Sequence, residues 1–428
     1  MTDRLFKRIF IVALVFILVV CSFGYGALVG NNKIWPHYQL RDGWAAIDSF
    51  VRLGKFLPRG LYVKAPAGAS RQPFTIHRPE LITEGFYIFL GRDAEINQFA
   101  AWLYDHKGQL LHRWVVDYEK FDPGYKSDGF FVPHAFHVLN DGSLLIGFDG
   151  GEVMVRINAC NEPMWIKKGI FHHSLTPADN GSFWVWRSDR HREGQDQYLQ
   201  NFDADTGETI VEIDLVEDIV KPMGAQSFIF GIRPDYPFQR YKDNPTGDVG
   251  KDIFHPNDLD VLTAELAPAF PMFEVGDLLL SFRTPNLVVV VDGDDYRVKW
   301  YQNGPWKLQH DPDFTADGTI SVYSNFSGNG RSEIIRIDPA TREASNELYP
   351  GDLRFNTHWM GKHQYLPDGR ILIIVPGQGR AIEVTADGDK VLEFNNIVIN
   401  NPDYNAHIDN GMWVDTDFFK TIPSCIRL

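Results

Sequence analysis

Cysteine is nearly absent: Cys21, Cys160 and Cys425 are the whole complement of a 428-residue chain. No two of them form a Cys-x-x-Cys pair, which excludes a zinc ribbon and a thioredoxin-like redox motif. Cys160 and Cys425 have two readings: a bridge, which an oxidising compartment permits, or two free buried thiols, the plainer one. Clustered lysine and arginine are missing too. The formal net charge is −15, and without a basic patch nucleic acid is not expected as a partner. No run of like charge and no low-complexity tract interrupts the chain. Helical periodicity is also sparse after the first 30 residues; the candidates are a stretch at 39–53 and one turn at 215–220.

One long apolar run is present. Arg4, Lys7 and Arg8 precede an uncharged stretch from Ile9 to Val29. About 20 such residues span a bilayer as a helix, and the basic flank holds the N-terminus in the cytoplasm, so the remainder is sent outward. A cleaved signal peptide is the rival reading. Tyr25-Gly26-Ala27 makes a poor cleavage site, and Val20 before Cys21 argues against lipoprotein processing. The expected layout is an anchor at 1–30, a linker or stalk at 31–79 and one domain at 80–428. The anchor would be a single pass of the inner membrane, with the domain on the periplasmic side.

That domain repeats itself. A strand, a tight polar turn and a second strand recur at 101–114, 153–165, 199–213, 286–300, 333–348 and 381–394, several ending in Trp. Apolar residues on either side of an Asp/Asn/Gly turn are a hairpin signal. Between the hairpins a glycine precedes an apolar strand, at Gly142, Gly181, Gly276, Gly318, Gly369 and Gly411. The intervals are roughly those of a four-stranded blade, except for a double-length one that holds an insertion at 221–271. The prediction is an all-β fold, a six-bladed β-propeller with an N-terminal transmembrane helix. The segment beginning at Phe86 completes a blade or, in a seven-bladed alternative, adds one.

Histidine keeps one place in the repeat. His134, His173 and His310 each lie eight residues before a strand-entry glycine, and His255 opens a similar segment with an insertion behind it. Equivalent repeat positions lie on equivalent faces, so these imidazoles should converge on the central channel. Clustered imidazole serves a metal site, with Asp258 and Asp311 as further ligands, acid–base chemistry, or anion binding around a nucleophilic His. Arg283 ends the strand after Gly276. A guanidinium in that channel opposes a metal cation and clamps a sulfate or phosphate, so no metal and no other cofactor is expected.

Four segments carry a resemblance. They are the His172-His173 pair before an Asn-Gly turn, His255-Pro256-Asn257, the strand ending in Arg283, and Gln309-His310-Asp311 followed by Asn325 and Arg331. Together these resemble the bacterial arylsulfotransferase family, over about 87–395. The resemblance implies a six-bladed propeller that moves a sulfuryl group from an aryl sulfate to a phenol through a sulfated histidine, without a nucleotide donor. It puts the nucleophile at His310, oxygen-holding roles at His255, Arg283 and His173 (or its neighbour His172), and further binding roles at Asn257, Asn325 and Arg331. Small aryl sulfates and phenols are then the partners, besides the membrane; a homo-oligomer is compatible with the sequence. His358 and His363 depart from the family pattern, in which small residues are more usual there. The competing readings are a non-catalytic membrane-anchored propeller that binds or assembles partners, and, more weakly, a quinoprotein dehydrogenase.

Overall fold

The computed structural model describes residues 2–32, 34–37, 61–125, 131–189, 197–233, 235–238, 252–326, 330–346, 348, 353–419 and 425. The helical candidate at 39–53 and part of the 221–271 insertion lie outside the described residues. At the N-terminus Thr2–Asn32 is one helix. Its apolar part, Phe6–Asn32, has 27 residues, and at 1.5 Å per residue it is about 40 Å long, enough to cross a bilayer. A signal sequence passes the same test.

From residue 63 onward the described chain forms six antiparallel sheets, five of four strands and one of five, the blades of a six-bladed β-propeller, numbered in chain order from Phe86. All six predicted hairpins are present, each as the two outer strands of a blade, such as Gln98–Asp105 with Leu110–Val116 and Leu287–Val291 with Val298–Asn303. Five of the six glycines enter the second strand of a blade as expected. Gly142, Gly181, Gly276, Gly318 and Gly369 all have φ between 80° and 93°, the left-handed region that the turn demands and glycine supplies without a steric cost.

The sixth glycine is different. Gly411 lies inside the strand Ile408–Val414, which pairs with Phe86–Asp93. Blade one is thus built from both ends of the domain: three strands after Phe86 and a last strand that closes the ring inside them. The Phe86 segment completes this blade, and there is no seventh among the described residues. Gly411 has a packing reason instead of a turn: a Cβ there would stand 2.7 Å from the side chains of Ile374 and Phe89. Blade six gains a fifth strand, Phe74–Ile76, on its outer edge at Lys390–Asn395, from within the expected stalk.

The apolar core is divided into slabs between neighbouring blades. One holds Leu279, Val288 and Val290 of blade four against Phe314, Ile320 and Val322 of blade five. Indole donors cross the same seams: Trp114 to Gly142 O at 3.0 Å, Trp165 to Ala204 O at 3.0 Å and Trp300 to Pro339 O at 2.9 Å. These tryptophans end hairpins because the outer strand is where one blade reaches the turn of the next. The predicted turn at Leu215–Val220 is present and capped; its Leu215, Val216 and Ile219, with Phe230 of the insertion, pack into the slab between blades three and four.

Cys160 and Cys425 are disulfide-bonded, with Cα atoms 5.5 Å apart. The free-thiol reading is therefore replaced by the bridge. The hairpin turn of blade two and the C-terminal segment meet only when the ring closes, so their sequence separation of 265 hides the pairing.

Candidate active site

Each blade presents an inner strand to the central channel: Val132–Val138, Ile170–Pro177, Pro256–Val261, His310–Phe314, Lys362–Tyr365 and Ile408–Val414. In all but the sixth blade the pairing slips by a bulge near the start of that strand. The residues in the slips are His134, His173 with Ser174, Asn257, Asp311 and Asp409. A bulge re-aims a side chain that the pleat would otherwise send into the slab. His173 and Asp311 hold left-handed backbone there, φ 66° and 51°, and His255 does so at 45°, conformations that non-glycine residues adopt at a cost.

The bulges gather the predicted histidines. The His173 ring centroid lies 4.5 Å from that of His134, 4.8 Å from His172 and 5.5 Å from His255. His134, His173, Asn257 and His310 line one small cavity with Asp258, Lys362 and Asp409. His172 Nδ1 meets His173 Nδ1 at 2.6 Å, and its Nε2 meets Gln197 Oε1 at 3.1 Å, so it sits behind His173. His255 is held by Asp252, three residues before it, through its own backbone N–H at 2.8 Å and its Nδ1 at 2.5 Å. Arg283 is joined to it through the backbone, its N–H donating to His255 O at 3.0 Å. The Arg283 guanidinium makes no hydrogen bond or ion pair with any described residue. Arg331 is bound instead to Glu333, at 2.9 Å.

His310 is oriented by one contact. Its Nδ1 lies 2.7 Å from Asn325 Oδ1, while Asn325 Nδ2 donates to Thr357 O at 3.2 Å and Met360 O at 2.6 Å. With its nitrogen committed to two carbonyls, the carboxamide turns only an acceptor toward the ring. Nδ1 therefore carries the proton and Nε2 keeps a free lone pair. Burial, with the nearby charges of His255, Arg283 and His134, pushes the His310 pKa well below that of an ordinary imidazole. His173 is pushed down by burial and by His134, His172, His255 and His310, and His172, chiefly by burial, to about 4. His134 moves the other way. Burial opposes its charge, but Asp409 on Nδ1 outweighs burial and raises its pKa. Asn257 donates to Gln309 O at 2.6 Å and leaves its own carbonyl oxygen buried without a partner.

Sequence reasoning named Asp258 and Asp311 only as possible metal ligands and missed the lysine that pairs with them. Lys362 is paired with Asp258 and with Asp311, the latter at 2.8 Å, and Asp311 also accepts from His363 Nδ1 at 2.7 Å. Burial and the Asp311 charge raise Asp258 to about 6 against the pull of Lys362; burial raises Asp260 to about 7. Asp311, Asp313 and His363 bring ligand atoms within 4.8 Å of one another. The ammonium on Asp311 already supplies the positive charge that a metal would bring. The signal was the same repeat offset: Gly361, eight residues before Gly369, holds the histidine's place, with Lys362 next to it. Asp409 was hidden because Gly411 was read as a turn.

The family model for arylsulfotransferase (ASST) matches residues 135–397, well over half of the chain. The chain belongs to the arylsulfotransferase family. Within this arylsulfotransferase-family chain the matched span takes in His172, His173, His255, Asn257, Arg283, His310, Asn325 and Arg331. Among solved structures, a Bacteroides caccae protein of unknown function shares the fold, with 9% identity and TM-score 0.52 over 77% of this chain and 99% of its own. TolB from Acinetobacter baumannii is a weaker likeness, with 10% identity and TM-score 0.45 over 78% of this chain and 67% of its own. No curated protein matches the sequence.

Proposed function

We propose that this chain transfers a sulfuryl group from an aryl sulfate to a phenolic acceptor through a sulfated His310, without a nucleotide donor. Family membership supports a sulfotransferase. The observation that carries the finer reading is the Asn325–His310 contact, which leaves a neutral imidazole with its Nε2 lone pair free in a buried, polar cavity. Sulfuryl transfer, like phosphoryl transfer, asks for in-line geometry and neutralised peripheral oxygens. Arg283, whose guanidinium makes no ion pair among the described residues, supplies a fixed charge for those oxygens. His255, backed by Asp252 on its Nδ1, turns its other ring nitrogen to the same task, and His173 lies between His134 and His255. The Asn257 side-chain oxygen, without a hydrogen-bond partner among the described residues, is an acceptor for a polar hydrogen of the bound substrate. Attack by Nε2 forms an N–S bond and breaks the S–O bond to the aryl group; the acceptor oxygen then reverses the first change, which splits one transfer into two.

The helix at Phe6–Asn32 fits an uncleaved anchor, with the propeller outside the cytoplasm. The Cys160–Cys425 bridge supports that side of the membrane, because such bonds persist where the surroundings are oxidising.

The test is an acceptor-free reaction with an aryl sulfate. One equivalent of phenol should be released in a burst, and the peptide containing His310 should gain the mass of one SO3 group. His310→Ala should lose both burst and turnover. A His310→Ala protein that turns over at the parent rate would remove His310 from the mechanism.

A further inference from the structure

His134 and Asp409 stand outside the chemistry so far described and outside the span matched by the family model, 135–397. Nevertheless they line the same cavity as His310. The two residues are 275 apart in sequence and come from different blades, the second and the first. His134 Nδ1 lies 3.1 Å and 3.3 Å from the two oxygens of Asp409. Both side chains are buried, and both sit in bulges that break the inner-strand pairing. A carboxylate can only accept, so Nδ1 carries a proton and the opposite ring nitrogen, Nε2, faces no described protein partner. His407 supports the same carboxylate from 3.6 Å.

Sulfuryl transfer leaves a proton unaccounted for. Breaking the S–O bond of an aryl sulfate puts an electron pair on the phenol oxygen, and a phenoxide with a conjugate-acid pKa near that of tyrosine, about 10, is a poor leaving group in a buried site. Arg283 cannot give up a proton. His310 spends one nitrogen on Asn325 and the other on sulfur. His172 and His173 are held neutral by burial. His255 also carries a carboxylate, Asp252, on its Nδ1, but the reading above already assigns it to the sulfuryl oxygens; His134 has a carboxylate in direct contact and its protonated form favoured. The groups facing it are Asp409 and His407 of blade one, Asp149 of blade two, His173 of blade three and Lys362 of blade six.

We propose that His134, seated on Asp409 across the channel, is the acid–base residue that protonates the departing phenol oxygen and deprotonates the incoming one. The proposal rests on the sulfuryl-transfer reading above. In the first half-reaction the His310 Nε2–S bond forms and the S–OAr bond breaks. The released electron pair takes the proton from His134 Nε2, and a neutral phenol leaves. In the second half-reaction His134 takes the acceptor's hydroxyl proton as its oxygen attacks sulfur. The N–S electron pair then returns to His310, and His134 is again an imidazolium on Asp409.

General acid assistance matters most for the worst leaving group, and that separates this role from a structural one. Burst rates should be measured for phenyl sulfate and for 4-nitrophenyl sulfate, whose phenoxide leaves without help. His134→Gln should slow the phenyl sulfate burst by about a hundredfold or more and the 4-nitrophenyl sulfate burst by less than about tenfold. Asp409→Asn keeps a hydrogen-bond acceptor but removes the charge. It should shift the ratio in the same direction by a smaller factor, and it serves if the first variant does not fold. Equal losses with both donors, or an unchanged phenyl sulfate burst, would overturn the assignment. A parent protein that gives no burst with either donor would remove the sulfuryl-transfer reading itself, and the role of His134 with it.

Discussion

Asn325 decides which nitrogen of His310 is free, and it does so without touching the sulfur chemistry. Asn325→Ala should therefore leave the fold intact and lower kcat/KM for transfer on the order of a hundredfold, the usual scale for a misplaced reacting group; an unchanged value would show that His310 needs no such support. The lowered pKa values have a sign that nitrogen NMR of the imidazoles can check. Burial and neighbouring charge favour the neutral ring, so His172, His173 and His310 should stay unprotonated through pH 6, with His172 titrating near 4. A His310 that protonates at or above the ordinary imidazole value, about 6.5, would contradict the buried, positively flanked site. At this scale the sequence was informative where chemistry recurs. The eight-residue offset singled out His134, His173 and His310 because a repeat position becomes a face of the channel. It was silent on Asp409 and Asp252. Neither recurs, and each matters only through a partner brought to it by the fold or by a turn.

Elements, not residues alone, set the charged layer. Lys362 on the inner strand of blade six reaches Asp258 on that of blade four and Asp311 on that of blade five, so one ammonium ties three strands. Lys362→Met should destabilise the propeller by about 3–5 kcal/mol at neutral pH, because it strands two buried carboxylates without their cation. Asp258 holds its proton up to about pH 6 even with Lys362 present. As pH falls below that, protonation relieves the repulsion, so the deficit should shrink between pH 7 and pH 5 in urea melts. A deficit that grows on acidification would show that the pair is not the source. The hairpins and their turn glycines were legible because local rules govern them: a left-handed turn residue, alternating apolar strands, a Trp at the edge. The bulges were not. A bulge is a mismatch between two strands, and neither strand alone records where its partner slips.

At the scale of the whole molecule, ring closure brings Ile408–Val414 and Phe86–Asp93 together in blade one, and the Cys160–Cys425 bridge ties Cys425 to the hairpin turn of blade two. Replacing both cysteines with serine should lower stability by about 2–4 kcal/mol, read as a lower denaturant midpoint of the propeller. Reductant should reproduce the shift in the parent and leave the variant unmoved. Insensitivity of the parent to reductant would mean that the bridge contributes nothing. The sequence by itself determined the blade count, the hairpins, the apolar N-terminal helix and the ring of histidines. Each of these follows from periodicity within about fifty residues, where local conformational preference and burial pattern suffice. Only the tertiary structure decided that Ile408–Val414 closes blade one, that Asp409 meets His134, that Lys362 bridges Asp258 and Asp311, and that Cys160 finds Cys425. Those pairings join residues up to 328 positions apart, or in different blades, and no local preference encodes them. They exist because six slabs of apolar side chains can all be buried only when the circle is complete.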